Sequence, residues 1–201
     1  VPRERGERIS RESGIASTRE LKKYLGMPIL QKRINKDTFG EVLEKVASRL
    51  AGWKKQTLSL AGRVTLTKSV LSSIPVHTMS SISMPVDILE KLDSLARSFV
   101  WGSGQHLVSW DKICKPNAAG GLGIRVSRDM NKALLAKVGW RLLHDTESLW
   151  AKVLRSKYGV GDIHDTYWMV GSSSSSSTWK SVVMGIREVV LVGHSWVTGY
   201  G

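Results

Sequence analysis

The chain has 201 residues, 41% of them hydrophobic, and sets 30 Lys plus Arg against 17 Asp plus Glu for a formal charge of +13. That length supports one domain or two small ones with a real core, and the apolar content excludes disorder throughout. A single cysteine, Cys114, excludes an internal disulfide and fits a reducing compartment, nuclear or cytoplasmic, while no apolar run is long enough to span a bilayer.

So large a positive surplus repels itself unless a polyanion is bound. A phosphate backbone, which releases counterions as Lys and Arg approach, is the first candidate partner. The rival reading of the charge alone is a basic but inert surface.

Residues 1–20 carry both signs and little pattern; Glu4, Glu7 and Glu12 argue against a transit peptide. The chain opens on Val, so the sequence reads as a piece of something longer. The apolar run from Tyr24 to Leu30, broken by Gly26 and Pro28, suits an edge strand or hairpin arm. Asp37 is a candidate cap for a helix whose stripe is Phe39, Val42, Leu43, Val46 and Leu50, ending at Gly52, with Glu41 and Lys45 as an i,i+4 pair.

Ser59 caps the next predicted helix, which runs to about Ser73 before Pro75 and takes Leu60, Val64, Leu71 and Ile74 as its apolar side. The stretch from Trp53 to Pro75 contains Lys54, Lys55, Arg63 and Lys68 and no acid at all. A helix that is apolar on one side and purely cationic on the other calls for an anionic partner. A third helix starts near Ser83 and Pro85, buries Val86, Leu89, Leu92, Ala96 and Phe99, and stops at Gly102.

Residues 106–110 suit a short strand. Gly120-Gly121-Leu122-Gly123 lacks both the dinucleotide spacing and the Gly-Lys-Ser/Thr ending of a phosphate loop, so a tight structural turn is the reading. Ser127 caps a fourth helix lined by Met130, Leu134, Val138 and Leu142, with Lys132, Lys137 and Arg141 on other faces. Thr146 opens a fifth, which ends at Gly159. Beyond it the pattern fades into a serine run, Ser172 to Ser177, read as a flexible loop. The 8 tryptophans sit at helical spacing beside Leu and Val and read as core rather than as platforms for bases.

Catalytic chemistry is not apparent. There is no Asp-Asp pair to hold two metal ions. Cys114 with His106, His144, His164 and His194 lacks zinc-ligand spacing, and no local signature marks a Cys–His nucleophile. His77, just after Pro75, reads as a turn residue rather than a base.

In order, Lys23-Tyr24-Leu25-Gly26-Met27-Pro28, Ala51-Gly52-Trp53-Lys54, Leu58-Ser59-Leu60-Ala61-Gly62-Arg63, Val70-Leu71-Ser72-Ser73-Ile74-Pro75, Phe99-Val100-Trp101-Gly102, Trp110-Asp111-Lys112-Ile113-Cys114-Lys115-Pro116, Gly120-Gly121-Leu122-Gly123-Ile124 and Asn131-Lys132-Ala133-Leu134-Leu135 form one set of landmarks. The set resembles the plant LINE-type, non-LTR retrotransposon reverse transcriptases, sequences commonly named reverse transcriptase or ribonuclease H protein. The resemblance covers nearly the whole chain. It implies that residues 1–34 end the polymerase palm, 35–104 form a helical thumb-like unit, 105–160 form a connector and second helical unit, and 161–201 open a zinc-binding segment. The family's Tyr-x-Asp-Asp motif, its zinc ligands and its ribonuclease H carboxylates would lie outside the chain. Cofactors are therefore expected to be none here, with a divalent metal, Mg, in the parent polymerase, and enzymatic activity is implied for the parent polyprotein rather than for this chain.

The fold expected is mostly α: a thumb-like bundle, a second small helical unit, a short β hairpin near the N-terminus and an irregular C-terminal tail. The function expected is to grip a template–primer, an RNA–DNA or DNA duplex, through phosphates rather than base edges. Lys54, Lys55, Arg63 and Lys68 are the first candidates for those contacts; Lys132, Lys137 and Arg141 are the second. The rival readings are a degenerate, non-functional remnant and a Trp-rich module that docks on the polymerase palm.

Overall fold

A computed structural model describes residues 3–14, 23–24, 27–28, 36–54, 58–102, 108–161, 167–169 and 175–193. Val1–Ile34 and Asn35–Gly201 form two compact units. In the first, helix α1 (Arg3–Ser13) carries an exposed Arg8–Glu12 pair at 3.8 Å, one turn apart. Lys23–Tyr24 and Met27–Pro28 pair antiparallel, Lys23 opposite Pro28 and Tyr24 opposite Met27. That pairing, two residues a side, is what the described residues show of the hairpin expected near the N-terminus; the rest of that stretch lies outside them. No strand of ordinary length occurs among the described residues, so a β hairpin is not supported as an element of the fold. Such a pair has no ladder to sustain it, and Pro28 removes a donor.

The second unit is built from helices, as the sequence predicts. After a 3₁₀ turn at Lys36–Phe39 that buries Phe39, α2 runs from Gly40 to Lys54, buries Val46 and Leu50, and continues past Gly52. Asp37 lies inside the 3₁₀ turn rather than at a helix cap. Helix α3 spans Leu60–Ser69, and the Ser59 hydroxyl accepts the Gly62 N–H at 3.2 Å as its cap. It stops earlier than expected: a 3₁₀ turn at Leu71–Ser73 follows, and Pro75 precedes a one-turn helix, α4 (Val76–Met79). Helix α5 (Val86–Trp101) packs on both α2 and α3, placing Trp53 and Phe99 rings 5.7 Å apart. Its buried residues are Ile88, Leu89, Leu92, Phe99 and Val100, whereas Val86, expected inside, is exposed.

Trp110 opens a short helix, α6 (Trp110–Cys114), in place of the end of a strand; residues 106–107 lie outside the described residues. The glycine cluster closes a turn in which Leu122 N–H donates to Ile113 O at 2.8 Å and Gly123 N–H to Lys115 O at 2.9 Å. That turn delivers Ile124 to a cluster with Val100, Trp110 and Ile113.

Helix α7 (Ser127–His144) buries Asn131, Leu135, Gly139 and Leu142; of the predicted Met130, Leu134, Val138 and Leu142 line Leu142 is inside, while the other three give way to the residues one position later. Ser127 does not cap it. The Asp93 carboxylate of α5 accepts both the Ser127 N–H at 3.0 Å and its hydroxyl at 2.7 Å. Burial pushes the Asp93 carboxyl above its usual range, and the two Ser127 hydrogen bonds oppose that rise. Helix α8 (Leu149–Tyr158) starts after Ser148, not Thr146, and ends at Gly159 with φ 61°.

The largest departure is α9 (Ser177–Gly193), a helix inside the stretch expected to be an irregular tail. Val182, Val183, Val189 and Val190 favour strands, and Gly185 weakens a helix interior, so local preference hides it. Packing overrides that preference. A Cβ at Gly185 would collide with the Leu135 backbone, and one at Gly139 would lie 2.8 Å from Ile186 N, so the two glycines bring α7 and α9 backbone to backbone. Around that crossing, Leu142, Ala151, Met169, Trp179, Val182, Val183 and Ile186 form a buried cluster. Among the described residues no helix is long and apolar enough to cross a membrane.

Candidate nucleic-acid interface

The sequence places its four preferred cations on the end of α2 and on α3. Lys54 closes α2, while its side chain and all of Lys55 lie outside the described residues. Arg63 and Lys68 lie on α3, which has no acidic residue. Neither points into free solvent as a simple cationic face would. The Arg63 guanidinium fills the space that a Cβ on Gly102 would take, at the end of α5 where Gly102 has φ 64°. Lys68 is exposed, yet its Nζ donates to Leu122 O at 3.0 Å across the glycine turn. Arg63 and Lys68 thus help hold α3 to α5 and to the turn. Among the described residues neither makes an ion pair with a carboxylate. No carboxylate among the described residues therefore cancels their positive charge, and the carbonyl that Lys68 meets carries only a partial charge.

The three second-choice cations are spread around α7. Lys132 pairs with Glu188 of α9 at 3.1 Å and so belongs to the helix crossing. Arg141 lies 3.9 Å from Asp145, with its guanidinium 5.6 Å over the Trp150 ring. The Ser148 N–H donates to Asp145 and holds its carboxyl below the usual range, so Asp145 is fully ionised at neutral pH. Lys137 is exposed and makes no ion pair among the described residues.

Two features of this region escape the sequence reading. Arg155 of α8 donates from Nε and Nη2 to Leu142 O at 3.0 and 2.7 Å and from Nη2 to Leu143 O at 2.6 Å. It caps the C-terminal end of α7, where a cation suits both the free carbonyls and the dipole. Trp140 departs from the expected burial of tryptophan. Trp179 and Trp110 are inside, whereas Trp140 is 51% exposed and lies stacked on His144, centroids 3.8 Å apart and planes 22° off parallel. Its i,i+4 spacing to His144 is visible in the sequence, and Trp140 stands opposite both the predicted and the buried line of α7, so only the reading of tryptophan as core hides its exposure.

Catalytic groups do not converge here. Among the described residues no three of His, Cys, Asp and Glu come together to hold a metal ion. The Cys114 thiol is pushed up to about 11, chiefly by burial and then by Asp93 and Asp111, which suits packing rather than nucleophilic attack.

No protein-family model matches the chain. It is similar to the Arabidopsis thaliana protein named "Putative ribonuclease H protein At1g65750", 57% identical over 180 residues, which cover 87% of this chain and 29% of that protein. The chain therefore spans under a third of that relative's length. It is also similar to the "Uncharacterized mitochondrial protein AtMg00310" of Arabidopsis thaliana, 33% identical over 129 residues, covering 60% of this chain and 80% of that protein. With most of that second relative spanned at this identity, the chain belongs to the same family as the mitochondrial protein AtMg00310.

Proposed function

We propose that this chain is the template–primer-gripping part of a plant retroelement polyprotein of the LINE-type reverse transcriptase kind. In that reading 35–104 is the thumb, 1–34 ends the palm, 105–160 is the connector and 161–201 opens the zinc-binding segment. The parent would catalyse RNA-directed DNA synthesis, with its divalent metal ions on carboxylates outside this chain. The ribonuclease H name of the more similar relative supports the retroelement assignment. The observation that carries the gripping role is the cationic surplus of +13 together with the stretch Trp53 to Pro75, where Lys54, Lys55, Arg63 and Lys68 stand without any acid. Lys68 is held by a backbone carbonyl and the Arg63 guanidinium packs at Gly102, which positions both for a phosphate chain with no carboxylate among the described residues to neutralise them. Work on nucleic acid would place the protein in the nucleus or cytoplasm.

Affinity for RNA–DNA duplexes of unrelated sequence tests the reading. Equal affinities are expected; a strong preference for one sequence would count against a phosphate grip.

A second reading, a module docking on the palm of its own polyprotein, draws support from α8, where Leu149 and Val153 stand exposed one turn apart. Binding to the isolated palm without nucleic acid, abolished in Leu149→Ser with Val153→Ser, would favour it.

A further inference from the structure

We propose that the last two turns of α7 form a stacking platform for an unpaired base, so that the chain holds a single-stranded nucleotide as well as a duplex. The inference rests on the nucleic-acid reading above and deepens it.

Lys137, Trp140, Arg141 and His144 follow one another at steps of three, one and three residues along one exposed side of α7. About half of the Trp140 surface is open to solvent, and the His144 ring covers part of the remainder. The pair is pre-organised: His144 Nδ1 lies 3.0 Å from the Trp140 carbonyl, which can only accept, so Nδ1 donates and the imidazole is held over the indole. Ordering the platform before binding removes part of the entropy cost of association. Lys137 has no ion-pair partner among the described residues, and Arg141 is shared between an exposed Asp145 contact and the Trp150 face. An aromatic face with two cations beside it matches a nucleotide, whose base stacks while its phosphate meets the cations. A purely apolar partner would leave Lys137 unmatched, and the chain's overall surplus of +13 favours an anionic occupant.

The test uses the full chain with three probes of equal length: an oligothymidylate, an abasic oligomer with the same phosphates, and a duplex. Trp140→Ala should lower affinity for the oligothymidylate by about tenfold, within the range of one base stack, and leave the abasic oligomer, the duplex and the salt slope unchanged. Trp140→Phe should restore most of that affinity, and a retained melting temperature shows that the variants fold. Lys137→Gln should weaken binding of both the base-bearing and the abasic strand. Equal weakening on both strands in Trp140→Ala, or none where the unaltered chain binds, overturns the platform while leaving the duplex grip intact. An effect of Trp140→Ala confined to self-association marks the face as a protein contact and also overturns it. Failure of the unaltered chain to bind any of the three probes overturns the nucleic-acid reading, and this inference with it.

Discussion

Helices α3 and α7 each carry a set of cations, and the fold uses the two sets differently. On α3, Arg63 and Lys68 reach across to neutral backbone, at Gly102 and at Leu122 O, and so stitch the helix to its neighbours while keeping their charge. On α7 the buried stitching falls to uncharged groups, and the Lys132–Glu188 pair joins α7 to α9 at the edge of the crossing. Asn131 is buried, donating to Met79 O at 2.7 Å and Ile82 O at 3.0 Å and accepting the Met84 N–H at 3.0 Å, and Gly139 lets α9 approach. The α7 cations are left at the rim, where Lys132 and Arg141 find carboxylates and Lys137 does not. Two cationic helices with similar composition can therefore differ in whether a charge substitution disturbs folding, binding or both.

The difference between stitching and rim positions is largest at Asn131. Replacing it with Leu leaves three backbone groups of the 79–84 turn without partners and should cost about 4 kcal/mol in denaturant unfolding, whereas Lys137→Gln on the same helix should fall within about 0.5 kcal/mol of the unaltered chain. Gly185→Ala comes next. Its new methyl meets the Leu135 backbone, which cannot yield as a flexible side chain would, and about 3 kcal/mol of destabilisation is expected. A cooperative transition in the unaltered chain, on which both measurements depend, would also argue against a degenerate remnant.

Smaller effects sharpen the α3 side. Ser59→Ala removes the cap of α3 and should lower stability by about 1 kcal/mol, with no direct change at the nucleic-acid surface. The smallest effect is chemical. With its thiol pushed up to about 11, Cys114 should alkylate far more slowly in the native chain than in denaturant at mildly alkaline pH, and the native rate should climb as pH rises toward that value.

Much of the helical framework is legible in the sequence because the apolar stripes of α2 and α5 follow a period of 3.6, and because Ser59 and Gly159 are local start and stop signals that work without neighbours. Sequence patterning fails where tertiary contacts decide. α9 has β-branched residues and a central glycine, and only its crossing with α7 makes it a helix. The phase of α7 is hidden because the buried line includes Asn131 and Gly139, neither of which counts as apolar. Trp140 stands opposite either line, so its exposure follows from the helical period itself and is hidden only when every tryptophan is read as core. At the N-terminus, the apolar run that suggests a hairpin is interrupted by Gly26 and Pro28, and among the described residues two a side pair. The candidate cations are legible as residues but not in what they touch. Nothing in the spacing of Arg63, Lys68 or Arg155 says that a backbone carbonyl or a helix end lies within reach.

The grip itself is tested most directly by the salt dependence of duplex affinity, measured for the unaltered chain and for a variant with Lys54, Lys55, Arg63 and Lys68 replaced by Gln, at matched folded fraction. A phosphate grip predicts a linear fall of log affinity with log salt, and a shallower slope in the variant by about 0.9 for each phosphate no longer neutralised. An affinity indifferent to salt, or a variant whose slope matches the unaltered chain, would contradict it.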